Sequence, residues 1–159
     1  ETMRRLESAG FVDPSVAISR NELIIVTGDT TIGQSIDSLA DLGAASDAVV
    51  VVCASSAPCG AATDQLLEQS GITLSPASRE PNVRATLTKV ILGEADAAIV
   101  YRTDAQARPE FRSVEITDTV DVVGRAAAVA GDDDGTRIVA VLAGAAAQDI
   151  LAEAGFQSP

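Results

Sequence analysis

The sequence predicts an α/β protein with mostly parallel sheets flanked by helices, because two patterns alternate along its 159 residues. Short apolar runs, such as residues 97–100, are too short for helices and suit strands that are covered on both faces. Other segments, such as residues 83–91, place apolar side chains three and four positions apart, as in a helix that packs one face on a sheet. The length allows one ordinary domain or two small lobes with a sizeable core.

The clearest succession of elements lies in residues 78–105. Pro81 and Asn82 are typical of a helix start, and the apolar spacing that follows predicts a helix that ends at Gly93. A turn then leads into a buried strand and an exposed loop. Tyr101 brings its hydroxyl to the carboxyl end of that strand, where open α/β sheets bind their ligands.

The other elements are predicted from the same two patterns. In chain order they are a helix at 2–8 ending at Gly10, a strand at 22–26, a short helix at 35–42 ending at Gly43, a strand at 48–52, a helix from about 61 to 69 closed by Gly71, a strand near 114–116, an apolar run at 120–130, and two closing helices between 136 and 155 that separate near Gly144. Strands that alternate with helices favour a mostly parallel sheet.

Composition and charge exclude several classes of function. Eleven basic and 23 acidic residues give a formal net charge of −12, which argues against nucleic acid and anionic membranes as partners. The chain contains no histidine, so histidine-based acid–base catalysis, Ser-His-Asp triads and histidine metal sites are excluded. The sequence starts at Glu1 without an initiator Met, immediately before a predicted helix, and we expect an N-terminal part to be missing.

Two backbone features predict an anion site. Residues 54–60 are a loop of small residues between a buried strand and a helix, which presents unpaired N–H groups and the positive end of a helix dipole. The helix start at Val83 is a second such terminus, and the Tyr101 hydroxyl adds a neutral donor. All three would meet at the carboxyl edge of the sheet.

Neither the two cysteines nor the run of aspartates is predicted to form a catalytic or metal site. Cys53 and Cys59 are six residues apart, which does not match the CxxC spacing of redox or zinc motifs; a disulfide is possible, but free thiols are favoured. Without histidine, neither cysteine is a good candidate nucleophile. Residues 132–134 are three consecutive aspartates between two glycines, and a solvated turn is favoured over a metal loop.

The stretch LTKVILGEADAAIVYRTDA, residues 87–105, resembles the molybdate-binding proteins of ABC importers, which carry a similar helix, GEAD turn and IVY strand. Upstream, SRNELIIVTG and VVVVCASSAPCGAATDQLLEQSGI are similar to the family's crossing strand and its Pro-x-Gly loop and helix. AAAQDILAEAGF is similar to the closing helix. The resemblance implies a periplasmic-binding-protein fold with two lobes. Residues 1–26 would be a first-lobe segment and crossover strand, 27–117 a complete second lobe, and 118–159 the return crossover and C-terminal first-lobe helices.

The same resemblance implies how a ligand is held. Cys59, the main-chain N–H of Val83 and the hydroxyl of Tyr101 would bind a tetrahedral oxyanion, molybdate or tungstate, without a cofactor or a direct metal ligand. The family's serine-bearing loops, which complete the site, would lie in the missing N-terminal segment. Arg84, Arg102 and Arg125 are interpreted as surface arginines that balance an acidic protein. Residues 124–126 depart from the family, which has an aromatic residue and a proline there.

The family implies a protein outside the cytoplasmic membrane, in the periplasm or lipid-anchored at the cell surface. Its partners would be an ABC permease subunit, a small oxyanion and the missing N-terminal segment. The alternative is an intracellular effector-sensing domain of a transcription regulator with the same fold. An enzyme is not expected, because the carboxylates Glu94 and Asp96 lie in a tight turn, where we expect them to be exposed to solvent, and no nucleophile or metal cluster completes a mechanism.

Overall fold

A computed structural model describes residues 2–117 and 119–159, which form two compact units. The small unit consists of residues 1–21 and 122–159, and the large unit of residues 22–121. The sequence placed the lobe boundaries after residues 26 and 117, and this division into lobes stays a prediction. Glu1 and Asp118, with which two of those predicted segments begin, lie outside the described residues.

Helices and strands alternate between residues 39 and 114, as predicted, while elsewhere two strands or two helices follow one another. In chain order they are α1 (Thr2–Ser8), β1 (Val16–Asn21), β2 (Leu23–Thr27), α2 (Thr31–Gln34), α3 (Leu39–Ala44), β3 (Val50–Cys53), α4 (Pro58–Ser70), β4 (Ser78–Glu80), α5 (Val83–Ile91), β5 (Ala97–Tyr101), α6 (Arg102–Gln106), β6 (Arg112–Val114), β7 (Val122–Ala126), α7 (Asp133–Ala143) and α8 (Ala145–Glu153). The α/β class is confirmed.

The large unit is built on a five-stranded sheet in the order β4-β3-β5-β2-β6. Strand β3 pairs in parallel with β4 and with β5, whereas β2 pairs antiparallel with β5 and with β6. Four strands therefore run in one direction and only β2 is reversed, so the mostly parallel prediction holds here for strand direction. The sheet of the small unit differs, because β1 and β7 pair antiparallel.

Helices cover both faces of the large sheet, which explains why its strands are apolar on both sides. In β2, Leu23 and Ile25 belong to one core cluster, while Ile24 and Val26 belong to the other. Side chains alternate between the two faces of a strand, so a strand buried on both faces has no polar alternation. The first cluster includes Leu39, Leu42 and Leu66 from α3 and α4, and the second includes Leu87, Val90 and Ala105 from α5 and α6.

Helix α3 starts and ends later than predicted. The helix expected at 35–42 begins instead at Leu39, because Ser38 caps it by accepting a hydrogen bond from the Asp41 N–H. Gly43 does not end this helix but lies inside it. A Cβ at Gly43 would lie 2.5 Å from Cγ2 of Ile72. This glycine therefore allows close packing rather than a left-handed turn.

Other differences from the predicted elements have local causes. Strands β1 and β4 and helices α2 and α6 were not predicted, since they are short or contain mixed polar residues. Helix α4 begins three residues early, with Pro58 in its first turn. The aspartates at 132–134 are exposed, as expected, but they begin a helix rather than form a turn: the Asp132 carboxylate accepts from the N–H groups of Asp134 and Gly135 and caps α7. A carboxylate at the start of a helix stabilises the helix, because it accepts hydrogen bonds from free N–H groups and lies at the positive end of the dipole.

The small unit holds β1, β7, α1, α7 and α8. Residues 124–126, where the sequence departs from the family pattern, form part of β7, and a Cβ at Gly124 would lie 2.4 Å from Oγ of Ser19. Ile138, Val141 and Ile150 on α7 and α8 are exposed. No single helix of the described residues is long and apolar enough to cross a membrane; α7 and α8 reach that limit only as a pair bent by 54°.

Asp96 connects three segments of the large unit at the turn before β5. The expectation that Asp96 is exposed was wrong: its side chain is almost fully buried. Burial is possible because its carboxylate accepts hydrogen bonds from the Thr30 hydroxyl and, at 2.8 Å, from the Val49 N–H. Its carbonyl oxygen accepts from the Gly28 N–H at 2.9 Å. The carboxylate is therefore a structural acceptor between the loop after β2 and the start of β3.

Replacing Asp96 with alanine removes both carboxylate bonds and leaves the two donors without their acceptor. We expect Asp96→Ala to lower the free energy of unfolding by about 2–4 kcal/mol, measured by urea denaturation. Asp47→Ala is the control, because Asp47 is exposed and accepts one bond, from Ser46 at 3.3 Å. Equal losses from the two substitutions would contradict a bracing role for Asp96.

Candidate anion-binding site

The three predicted ligand residues lie beside the carboxyl ends of neighbouring strands. Strand β3 ends at Cys53, shortly before Cys59 in α4, and β5 ends at Tyr101. Strand β4 ends at Glu80, just before Val83 opens α5. Since β3, β4 and β5 run parallel, these ends meet at one edge of the sheet.

The first turn of α4 offers backbone donors without side-chain competition. Ala57 precedes the helix and provides no side-chain cap, and Pro58 at the first position has no N–H. The N–H groups of Cys59 and Gly60 follow, in the turn where a helix has no acceptors of its own. A Cβ at Gly60 would lie 2.0 Å from the carbonyl oxygen of Ala54, so only glycine permits this close approach of loop and helix.

The start of α5 is capped in a way that leaves Val83 available. The Asn82 side chain accepts from the Ala85 N–H at 2.9 Å, and the Asn82 carbonyl accepts from the Thr86 N–H at 3.1 Å. The N–H of Val83 belongs to the first helical residue and has no acceptor within the helix. Its half-buried side chain packs against the core, so any contact of Val83 with a ligand would be made by its backbone.

Cys53 and Cys59 form a disulfide, with 5.7 Å between their Cα atoms. The favoured expectation of free thiols was therefore wrong. Spacing along the chain did not reveal the pairing, because a tight loop folds the end of β3 back onto the first turn of α4. Cys59 has no free thiol to offer a ligand, and what remains is its backbone N–H.

The disulfide is part of a small buried cluster that also brings the candidates together. Cys53, Ala57 and Cys59 form this cluster, which we call the disulfide cluster, and the side chains of Val83 and Tyr101 pack against it. The structure thus places Cys59, Val83 and Tyr101 around one group of buried atoms. The convergence arises from tertiary packing of four segments.

Burial makes the Tyr101 hydroxyl harder to ionise than a free phenol. Desolvation raises the pKa of Tyr101 above its ordinary value of 10.0, and the negative charge of Asp104 raises it further. The pKa of Asp104 is itself raised by burial, an effect that the Arg84 charge opposes. At neutral pH the phenol is therefore a hydrogen-bond donor without charge.

Two of the three predicted surface arginines have other partners. Arg102 binds Glu22 at 2.7 Å and also contacts Glu115, and these carboxylates raise its pKa. Arg125 donates to the hydroxyl and the carbonyl of Ser15 at 2.8 Å each. Arg84 is exposed.

Arg79 on β4 is a residue that the sequence did not single out. Its guanidinium donates to the Cys53 carbonyl and the Ser55 hydroxyl, both at 3.2 Å, and to Asp64 at 3.0 Å. It therefore holds the loop between β3 and α4 from the neighbouring strand. No sequence pattern marked it, because β4 is only three residues long and was not predicted.

No metal centre is present in the part of the chain that the structure describes: no three Cys, Asp or Glu side chains are grouped so as to hold an ion. The groups that Cys59, Val83 and Tyr101 could offer a ligand are N–H and O–H donors. Such donors suit an anion, which accepts their hydrogen bonds.

Comparison with protein families matches residues 1–157 to the model described as bacterial extracellular solute-binding protein. A relative named molybdate-binding protein ModA, from Mycobacterium bovis, is 37% identical over an alignment of 119 positions that covers 69% of this chain and 44% of that protein. ModA proteins of Mycobacterium tuberculosis match equally. The chain thus spans 44% of the length of the curated relatives it matches.

Solved structures share the fold at low sequence identity. The periplasmic molybdate-binding protein of Azotobacter vinelandii is 17% identical with a TM-score of 0.74, covering 99% of this chain and 74% of that one. The effector-binding domain of QuiR in complex with shikimate is 13% identical with a TM-score of 0.62, covering 82% and 63%. The fold thus occurs both in a binding protein and in an effector-binding domain.

The raised pKa of Tyr101 can be measured without interference, because the chain has one Tyr and no Trp. We expect phenolate absorbance of the folded chain to give a pKa above 10.0, and the chain unfolded in urea to give about 10.0. A folded pKa above the unfolded one means that the protonated phenol stabilises the fold. This stabilisation should be complete below pH 10 and lost as the pH rises through the folded pKa. Identical titrations of the two states would contradict the burial of this hydroxyl.

Proposed function

The chain belongs to the bacterial extracellular solute-binding protein family, and from this premise we propose that it is the solute-binding component of an ABC importer. Its ligand is a tetrahedral oxyanion, molybdate or tungstate, which it delivers to a membrane permease. Cys59 and Val83 donate backbone N–H groups to the oxyanion, and Tyr101 donates its hydroxyl. The family is one of solute-binding proteins rather than enzymes, in agreement with the expectation from sequence.

The observation that carries this proposal is that the side chains of Val83 and Tyr101 pack against the disulfide cluster, which contains Cys59. A dianion held by N–H and O–H groups is stabilised because each donor points at a charged acceptor, and two helix starts add the positive ends of their dipoles. No lysine or arginine is needed in such a site. The net charge of −12 slows the approach of an anion, but does not prevent binding by fixed dipoles.

The names of the relatives support molybdate as the ligand, since the matched Mycobacterium proteins and the Azotobacter structure are molybdate-binding proteins. Tungstate has the same charge and tetrahedral shape, and we include it for that reason. Family membership supports a location outside the cytoplasmic membrane, either in the periplasm or lipid-anchored at the cell surface. A disulfide fits such an oxidising compartment.

The fold alone does not distinguish the alternative, an intracellular sensor domain of a transcription regulator, because effector-binding domains share it. The family match over residues 1–157 favours the importer protein. A regulator domain that binds an organic effector would not select a small inorganic dianion.

Thermal unfolding with added oxyanions tests the proposed function. A ligand that binds only the native state raises the midpoint of unfolding. We expect millimolar molybdate and tungstate to raise the midpoint, and equimolar sulfate, as a control for ionic strength and charge, to raise it less. Unchanged midpoints with all three anions, or an equal rise with sulfate and with chloride at matched ionic strength, would contradict oxyanion capture.

The backbone contact at Val83 can be tested by proline. Proline is tolerated at the first position of a helix, and the extended conformation of Asn82 suits the residue before a proline. Val83→Pro therefore deletes one N–H and leaves α5 able to form. We expect calorimetry to show binding of tungstate weakened by about 1.5–3 kcal/mol, the value of one charge-assisted hydrogen bond.

Val83→Ala is the matched control for this substitution. It removes most of the half-buried side chain but keeps the N–H, so stability should fall while affinity for tungstate is retained. Loss of affinity in the alanine variant and not in the proline variant would reverse the assignment, because the side chain would then be the group that matters.

A further inference from the structure

We propose that the Cys53–Cys59 disulfide positions the oxyanion donors, so that opening it weakens ligand binding while the large unit stays folded. Cys53 and Cys59 are then positioning residues, which act through the donors around them. The inference rests on the proposed function. The N–H and O–H groups can donate hydrogen bonds without the disulfide, so its role would be to hold them in place. Three sets of contacts support it, one for each donor.

The first contact is covalent and fixes the start of α4. The bond joins the last residue of β3 to the second residue of α4, and the two cysteines are 0% and 3% exposed. β3 is held on both sides by β4 and β5. The disulfide therefore ties the Cys59 N–H to the most constrained part of the sheet.

The second contact reaches α5. The Cys53 sulfur lies 3.5 Å from the Thr86 hydroxyl, which is fully buried. That hydroxyl and the Thr86 N–H both bind the carbonyl oxygen of Asn82, at 3.0 and 3.1 Å. Asn82 is the residue immediately before Val83. The sulfur thus packs under the turn that presents the Val83 N–H.

The third contact is with the phenol. The ring of Tyr101 packs against Cys53, Ala57 and Cys59, and Tyr101 itself lies at the end of β5. Loss of the bond allows Cys59 to move away from β3, which opens the cluster beneath the ring. The hydroxyl then gains water as an alternative partner and loses part of its fixed orientation.

The fold has other supports that do not depend on this bond. The main core clusters of the large unit lie on the two faces of the sheet and contain neither cysteine. Arg79 binds the Cys53 carbonyl and the Ser55 hydroxyl, and the Ala54 N–H donates to the Glu80 carbonyl at 2.7 Å. The closed loop is short, and short loops gain least from a cross-link. The expected effect is therefore on the geometry of the donors rather than on folding.

The experiment compares the oxidised and reduced chain. Dithiothreitol supplies two electrons and two protons, which convert the disulfide into two thiols while the reagent closes to its own cyclic disulfide. The reagent is then removed by gel filtration without oxygen, because dithiols bind molybdate. Tungstate is titrated into both forms by calorimetry, and circular dichroism verifies that both are folded.

We expect the reduced chain to bind tungstate about tenfold more weakly or worse, as when one charge-assisted hydrogen bond is lost. The Tyr101 pKa should move down toward 10.0 in the reduced chain, since water reaches the phenol. This second readout does not depend on the ligand. Reoxidation should restore both values, and Cys53→Ala/Cys59→Ala should behave as the reduced chain does.

The outcomes separate this inference from the proposed function. A folded reduced chain with unchanged affinity and an unchanged Tyr101 pKa would overturn the positioning role. A reduced chain that unfolds would also overturn it, because the bond would then serve the fold as a whole. If neither form binds tungstate or molybdate, the proposed function fails, and the inference falls with it.

Discussion

The parallel pairing of β3 with β4 and β5 determines where the candidate site lies in the large unit. Parallel neighbours place their carboxyl ends at the same edge, so the loops that leave them share one place in space. Helices α4 and α5 start just beyond that edge, and Tyr101 ends the third strand there. The apolar composition of these strands follows from the same arrangement, because helices cover both faces of the sheet.

The proposed site would rely on dipoles and not on charge. In a chain of net charge −12, the guanidinium of Arg102 is bound to carboxylates and that of Arg125 to Ser15. N–H groups in the first turns of α4 and α5 remain, with the phenol of Tyr101. Donors of this kind cost nothing to orient at the moment of binding, since the helices already fix them. The disulfide cluster gives these donors a shared rigid base.

Most of the helices and strands could be predicted from sequence, and the misses have identifiable causes. Helix α5 was predicted well because Asn82, the apolar spacing and Gly93 agree on one element. The predicted end of α3 was wrong, because the sequence does not distinguish a glycine that ends a helix from one, such as Gly43, that permits close packing against Ile72. The short strands β1 and β4 gave no periodic pattern to detect. The contacts of Arg79 with the loop could not be predicted, because they depend on the pairing of β4 with β3.

The α/β class could be predicted from sequence, because composition and spacing decide local elements. The candidate ligand residues were predicted from helix starts and from the family resemblance. The bond between Cys53 and Cys59, the half-buried position of Tyr101 beside them and the contacts of Arg79 with the loop became visible only in the folded chain. Each of these depends on contacts between segments far apart in the chain or on the path of a loop, and spacing along the sequence carries no information about such distances.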